Sequence, residues 1–282
     1  MFFCLVNSYK TKAMKKLIVF ALVALIGFPL SAQTLRTVKN NAFKRGECLR
    51  YKVYYDAILT GKVNAGEAEL EVKDENKLIA NRNTLHVVGL GLTKGAFNLF
   101  FKVVDRYETY IDETALIPWV FIRRVNEGGY KISQDVTFNQ FKKTATSLNN
   151  KNNTTTKATV TENVQDIISA LYYARTLDFS NAKIGQEFIV PFFLDDSMYT
   201  SKIIYQGKET ITIGLGKFSC LKFKPMVATG SVFSDPYPMT LWVTDDKNHI
   251  PLLAESAILV GSVKLELIKY SGLANTLSSK IQ

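Results

Sequence analysis

From Cys48 onward the chain is a succession of short runs in which apolar and polar residues alternate, the pattern of strands with one face buried. Cys48–Leu59 is rich in aromatic and β-branched residues, and Gly61–Val72 alternates through Val63, Ala65, Ala68, Leu70 and Val72. Leu78–Val88, Phe101–Ile111, Trp119–Val125 and Tyr130–Phe141 follow at the spacing of a meander. Glu127-Gly128-Gly129 marks a tight hairpin between the last two. In the second half the theme returns at Glu187–Phe193, Tyr199–Gln206, Glu209–Leu215, Phe218–Met226, Met239–Val243, Pro251–Ile258 and Ser262–Tyr270.

Two segments depart from this pattern. Thr144–Val160 is Asn/Thr-rich with few large apolar residues, and reads as an exposed loop. Val164–Leu177 changes period: Val164, Ile167, Ile168, Leu171, Ala174 and Leu177 fall at i, i+3, i+4 and i+7, so an amphipathic helix with one buried face is predicted. Asn163 is its expected N-cap, with Asp166 three residues on, and Arg175 sits in the last turn, where a cation suits the helix dipole. The expected fold is mainly β: a large curved antiparallel sheet or open β-barrel, with this helix packed on its concave side.

An internal echo supports a repeated hairpin. Asp112 to Pro118 and Asp245 to Pro251 share an Asp and an Ile-Pro at identical spacing, each following an aromatic strand end. An Asp opens such a turn by bonding its own downstream backbone, and a proline begins the return strand where no donor is needed.

The leader alters the setting in which this domain is read. Lys15 and Lys16, the apolar run Leu17–Leu30 and the small residues around Ser31-Ala32 have the layout of a secretory signal peptide. Cleavage is expected after Ala32, with Met14 as the natural start and residues 1–13 an upstream extension. The segment carries Lys10, Lys12, Lys15 and Lys16 and no acid, so the formal charge of +10 falls to +6. An exported basic chain meets lipid, lipopolysaccharide and cell-wall polymer rather than nucleic acid, and the expected location is the periplasm or the outer membrane's periphery. Cys48 and Cys220 lie far apart in apolar strand contexts; two buried thiols or one disulfide both fit.

Catalytic patterns are missing. His86 lies in an alternating strand and His249 in a turn, neither with partners at metal-ligand spacing, so no metal or cofactor is expected. Gly89-Leu90-Gly91-Leu92-Thr93-Lys94-Gly95 matches neither a dinucleotide fingerprint nor a P-loop. The neighbouring acids Asp195-Asp196 and Asp245-Asp246 diverge on an extended chain and read as solvated turns. What stands out instead is apolar surplus near turns, at Gly89–Phe101, Pro191–Leu194 and Pro225–Phe233. An ordinary core would account for it; so would a barrel holding one apolar ligand under a mobile glycine-rich flap. For the ligand the expected lining is Leu92, Phe97, Phe100, Phe101, Leu171, Tyr172, Phe192 and Trp242, with Arg175 at hand for an anionic head group.

Several motifs together carry a family resemblance. These are Gly46-Glu47-x-Leu49-x-Tyr51-x-Val53-x-Tyr55, then Gly61-x-x-x-Ala65-Gly66, and Asp166-Ile-Ile-Ser169-Ala170-Leu171-Tyr172-Tyr173-x-Arg175. The last runs from Gly216-Lys-Phe218-x-Cys220 to Leu241-Trp242-Val243-Thr-Asp245-Asp246 and Ile250-Pro251. The chain resembles, from about Phe43 to Tyr270, the domain-of-unknown-function family 3108, exported bacterial proteins without an established activity. More loosely it is similar to lipoprotein carriers, unclosed barrels whose apolar concave face holds acyl chains under helical lids. The expected organisation is a signal peptide at 1–32, one β-rich domain at 43–270 and a tail at 271–282. The expected function is binding or carrying a lipid or glycolipid rather than catalysis; the alternative is a structural envelope protein with a protein or polysaccharide partner.

Overall fold

The computed structural model describes residues 34–57, 61–226, 238–258 and 261–281. The predicted signal segment and the apolar residues Val227–Phe233 lie outside them. Residues Leu35–Gln282 form one compact unit.

In chain order the elements are β1 (Cys48–Ala57), β2 (Gly61–Ile79), β3 (Arg82–Thr93), α1 (Phe97–Phe100), β4 (Val104–Asp112), β5 (Pro118–Glu127), β6 (Tyr130–Asn139), β7 (Thr144–Asn149) and β8 (Thr154–Thr159). After α2 (Ile167–Ala174) come β9 (Glu187–Leu194), β10 (Ser197–Ile213), β11 (Gly216–Pro225), β12 (Met239–Thr244), β13 (Pro251–Ile258) and β14 (Gly261–Ser271). All described strands form one antiparallel sheet of 14, in the order β8-β7-β6-β5-β4-β3-β2-β1-β14-β13-β12-β11-β10-β9. The chain therefore starts mid-sheet, meanders to one edge, crosses through α2 to the other edge, and meanders back until β14 lies beside β1.

The sheet curls without closing its backbone ladder. β9 at one edge and β4, well inside the other arm, both contact α2. Phe193 of β9 packs with Phe121, Val136, Phe138 and Ala145 of β5–β7, so one edge tucks against the face of the far arm like a scroll. Gln165 caps the tucked edge: its N–H donates to Pro191 O at 3.0 Å and its carbonyl accepts from Phe193 N at 2.8 Å. A proline suits this outer strand, which needs no full donor row.

Some boundaries differ from the sequence expectation for identifiable reasons. Thr144–Val160 is not a loop but the two strands β7 and β8, joined by a turn at Asn153 (φ 56°). As the sheet's edge they lie mostly in solvent, with only Ala145 and Ser147 buried, and so carry no clear apolar alternation. The apparent break between Tyr199–Gln206 and Glu209–Leu215 is a bulge inside the single strand β10, where the register shifts between Tyr205 and Gly207 (φ 105°). Leu78 and Ile79 end β2, since the turn is made by Ala80 and Asn81, both left-handed. Gly128 (φ 56°) and Gly129 (φ 96°) form the expected two-residue hairpin.

The echoed hairpins share a structural device, offset by one residue from the shared letters. Register shifts between Tyr110 and Ile111, and between Trp242 and Val243; Ile111 then faces Pro118 and Val243 faces Pro251. Asp112 organises the first turn, accepting from Thr114 N and Ala115 N. In the second that role passes to Asp246, which accepts from Asn248 N at 3.0 Å, while Asp245 pairs with Lys208.

Candidate functional site: an apolar cavity beside the helix

Strands β1–β4 and β9–β14 wrap, together with α2, around a cavity of about 760 Å³. Ile167, Ala170, Leu171 and Ala174 line it from the helix, and Leu70, Tyr107, Val190, Phe192, Leu241 and Leu265 from the strands. The helical residues are the i, i+3, i+4, i+7 stripe, and each is only half-buried. Part of their apolar surface is left on the cavity, although Ile167 also packs on the Phe121–Phe193 cluster.

Two glycines of β3 help make that space. Gly89 and Gly91, two apart and so on one face, both line the cavity. A Cβ on Gly89 would meet Leu70 and Ile168 at 3.3 and 3.4 Å, whereas one on Gly91 would meet nothing within 4 Å. The wall has few polar groups: the Tyr51 and Ser256 hydroxyls are buried without a hydrogen-bond partner among the described residues, and Glu69 and Asp105 add carboxylates. An apolar chamber with a few polar handles is the ordinary form of a ligand site, and its volume lies within the ~300–1,000 Å³ such sites span.

Behind the cavity, the opposite face of α2 is closed. Asp166, not Asn163, is the N-cap; Asn163 is left-handed (φ 57°), outside the helix, whereas Asp166 is extended (φ −94°, ψ 177°). The Asp166 carboxylate accepts from Ile168 N and Ser169 N, each at 2.8 Å, and from the Thr109 hydroxyl at 2.5 Å. Ser169 Oγ accepts in return from Asp166 N at 2.8 Å, completing a capping box. Burial outweighs these bonds and lifts the Asp166 carboxyl to about 6. Tyr172 is fully buried, its ring 4.7 Å from that of Phe43. At the C-cap, Arg175 makes a bidentate pair with Glu47 at 2.6 and 2.8 Å and donates to Asn248 O and Ala42 O. Arg175 is 3% and Glu47 0% exposed, so the pair is a buried rivet joining helix, N-terminal segment and the β12–β13 turn.

The residues expected from sequence to line the site divide into groups. Leu171 and Phe192 are in the cavity wall. Leu92 lies half-buried at the end of β3, outside that wall. Tyr172 faces the closed core behind the helix. Arg175 is saturated by Glu47 and two carbonyls and holds the fold rather than facing the cavity. Trp242 packs in the cluster around Leu49 and Phe218, its indole N–H donating to Glu209 at 3.0 Å. Phe97, Phe100 and Phe101 occupy the β3–β4 connection, where Phe97 packs edge-on to Tyr55 and Phe100 is 87% exposed. The glycine-rich stretch is no flap: Gly89 to Thr93 pairs with β2 on one side, and Gly89 to Leu92 with β4 on the other. Sequence reading missed Gly89, Gly91, Ala170 and Ala174 as makers of volume. A glycine inside a strand was the available signal.

The other polar candidates have structural roles. His86 is held between Glu75 and Glu108, stacked on Tyr110 at 4.3 Å, and His249 Nδ1 meets the Arg175 carbonyl at 2.7 Å. Cys48 and Cys220 are free thiols, and burial pushes Cys220 up to about 12. Among the described residues no cluster of three His, Cys, Asp or Glu could hold a metal, and no helix is long and apolar enough to cross a membrane.

Residues 50–268 match the family model described as Protein of unknown function (DUF3108). A β-barrel-like protein of domain of unknown function DUF1849 from Brucella abortus shares the fold at TM-score 0.51 and 12% identity, covering 84% of this chain and 99% of its own. A candidate lipoprotein from Parabacteroides distasonis aligns at TM-score 0.29 and 13% identity, over 85% of this chain and 100% of its own. A candidate exported protein with a YmcC-like fold from Bacteroides fragilis aligns at TM-score 0.29 and 10% identity, over 84% and 100%. Comparison with curated proteins finds no match.

Proposed function

The chain belongs to the DUF3108 family of proteins of unknown function, and from its own geometry we propose that it binds or carries an apolar or amphipathic ligand, a lipid or glycolipid, in the cell envelope. One observation carries this reading: an apolar cavity of about 760 Å³ walled by the curled sheet and by the apolar stripe of its helix. Its volume and its largely apolar lining with a few polar groups are those of a small-molecule site. Export is supported by the leader's charge, apolar run and small-residue end. The reading needs neither cofactor nor metal.

Gly91→Phe tests it. The new ring enters open space at a position with ordinary backbone, so the fold should hold while the chamber fills. Wild-type protein purified from envelope extract should carry a lipid-sized adduct in native mass spectrometry and bind a fluorescent fatty acid; Gly91→Phe should do neither. A wild type without adduct or fatty-acid binding would overturn the carrier.

A second reading, a scaffold that docks a protein or polysaccharide, is favoured by one feature. Leu99, Phe100, Phe101 and Tyr130 are 84, 87, 50 and 65% exposed around the tip of the β3–β4 connection. If that tip is the business end, Phe100→Ser should abolish envelope crosslinks while fatty-acid binding is untouched.

A further inference from the structure

One cross-strand row runs from the cavity into a second hollow. Register places Leu70 beside Gly89, Gly89 beside Tyr107, Tyr107 beside Arg123, Arg123 beside Gln134, Gln134 beside Asn149 and Asn149 beside Thr154. Directly paired residues of an antiparallel sheet share a face, so this row is one continuous surface across β2–β8. Its first three members line the apolar cavity. Its last four line a groove of about 600 Å³ whose walls are mostly polar side chains, with Ile132 and Tyr130 among them. The β9–β10 turn sits between the two: Leu194 faces the cavity, Asp195 and Asp196 the groove.

The groove is built from groups that suit hydroxyls. Arg123 is 94% buried by its 6% exposure, and its Nη2 reaches Gln134 Oε1 at 2.9 Å and the Asp195 carboxylate, yet its Nε has no hydrogen-bond partner among the described residues. Gln134 Nε2 donates to Ser147 Oγ at 2.7 Å and to Asp196 at 3.3 Å. Thr154 and Thr156 add hydroxyls, and Tyr130 offers an exposed ring at the rim. Arg123, Lys131 and Lys151 stand there against Asp195 and Asp196, so the charges nearly balance and no field of one sign favours a phosphate or sulfate. A sugar brings both donors and acceptors, which carboxylates, amide and guanidinium can match, and an apolar ring face that packs on an aromatic.

We propose that this groove takes an uncharged sugar head group whose attached chain lies in the neighbouring cavity, so that the bound amphiphile is a glycolipid. The inference rests on the cavity reading above and names the class of its ligand.

The full chain is titrated calorimetrically with three twelve-carbon probes below their micelle concentrations: dodecyl maltoside, dodecyl phosphocholine and dodecanoate. Wild type should prefer dodecyl maltoside over dodecyl phosphocholine by about tenfold, the worth of one or two well-made hydrogen bonds. Tyr130→Ala, at an exposed position that cannot unfold the domain, and Asp196→Asn, which tolerates the left-handed backbone, should each erase most of that preference while leaving dodecanoate affinity unchanged. Equal affinity for all three probes, or a preference that survives both substitutions, overturns the sugar head group and leaves the cavity standing. Dodecanoate failing to bind overturns the cavity, and this inference with it.

Discussion

Leu171 and Tyr172 are consecutive residues of one helix with opposite surroundings. Leu171 looks into unfilled volume, whereas Tyr172 has no exposure and is pressed against Phe43, beside the Arg175–Glu47 pair. The difference teaches how a small helix can wall a cavity without collapsing into it: the polar anchors are behind, in the cap, the buried tyrosine and the ion pair. On the front, Ile167 packs on the Phe121–Phe193 cluster, while Ala170, Leu171 and Ala174 stay half-buried at the cavity.

The most severe way to break this arrangement is to remove the rear anchor. Glu47→Ala strands the Arg175 guanidinium in the interior and should cost about 3–5 kcal/mol in urea melts, enough to detach the helix. A loss below about 1 kcal/mol, the range of exposed pairs, would mean that the helix is held by something else.

The cap offers a finer probe through pH. Asp166 has its carboxyl raised from an ordinary 3.8 to about 6, so folding favours its protonated form. Its contribution to stability is fully present below about pH 4 and is lost as pH rises through about 6, a swing on the order of 3 kcal/mol. Asp166→Asn keeps an oxygen for the helix N–H groups and cannot titrate. Urea midpoints of the variant, compared with wild type from pH 4 to 6.5, should lack that decline. Parallel curves would show that Asp166 titrates normally.

The smallest effect belongs to the front. Leu171→Ala enlarges a space that is already open, so it should cost about 1 kcal/mol rather than the 2–5 kcal/mol of a packed leucine. It should weaken fatty-acid binding more than it weakens the fold. A large loss that lipid extract does not alter would make the cavity face an ordinary core.

The meander, its tight glycine hairpin and the helix stripe were legible because each rests on local periodicity. β7 and β8 were not, since an edge strand such as Thr154–Thr159 buries almost nothing and its threonines resemble a loop. The helix start was misread because Asn163 and Asp166 are both good caps, and only the backbone tells which one is extended. The Arg175–Glu47 pair joins residues 128 apart, and no spacing rule reaches that far. The cavity was half-legible: its apolar wall was expected, but two of the positions that create its volume are glycines, which sequence reading took for flexibility rather than vacancy.

The order of strands has a consequence for how the molecule is made. Every neighbouring pair in the sheet but one joins strands consecutive in the chain, and can pair as soon as both exist. The exception is β1 with β14, where Cys48 meets Ser271. The first strand of the domain thus keeps one side unpaired until the last has arrived, and two half-sheets must find each other across the whole chain. That single distant encounter should govern the pace of folding, and until it happens an open strand edge in each half is an invitation to the wrong partner. For a chain made from its N-terminus onward, the centre of the sheet is the last part to become native.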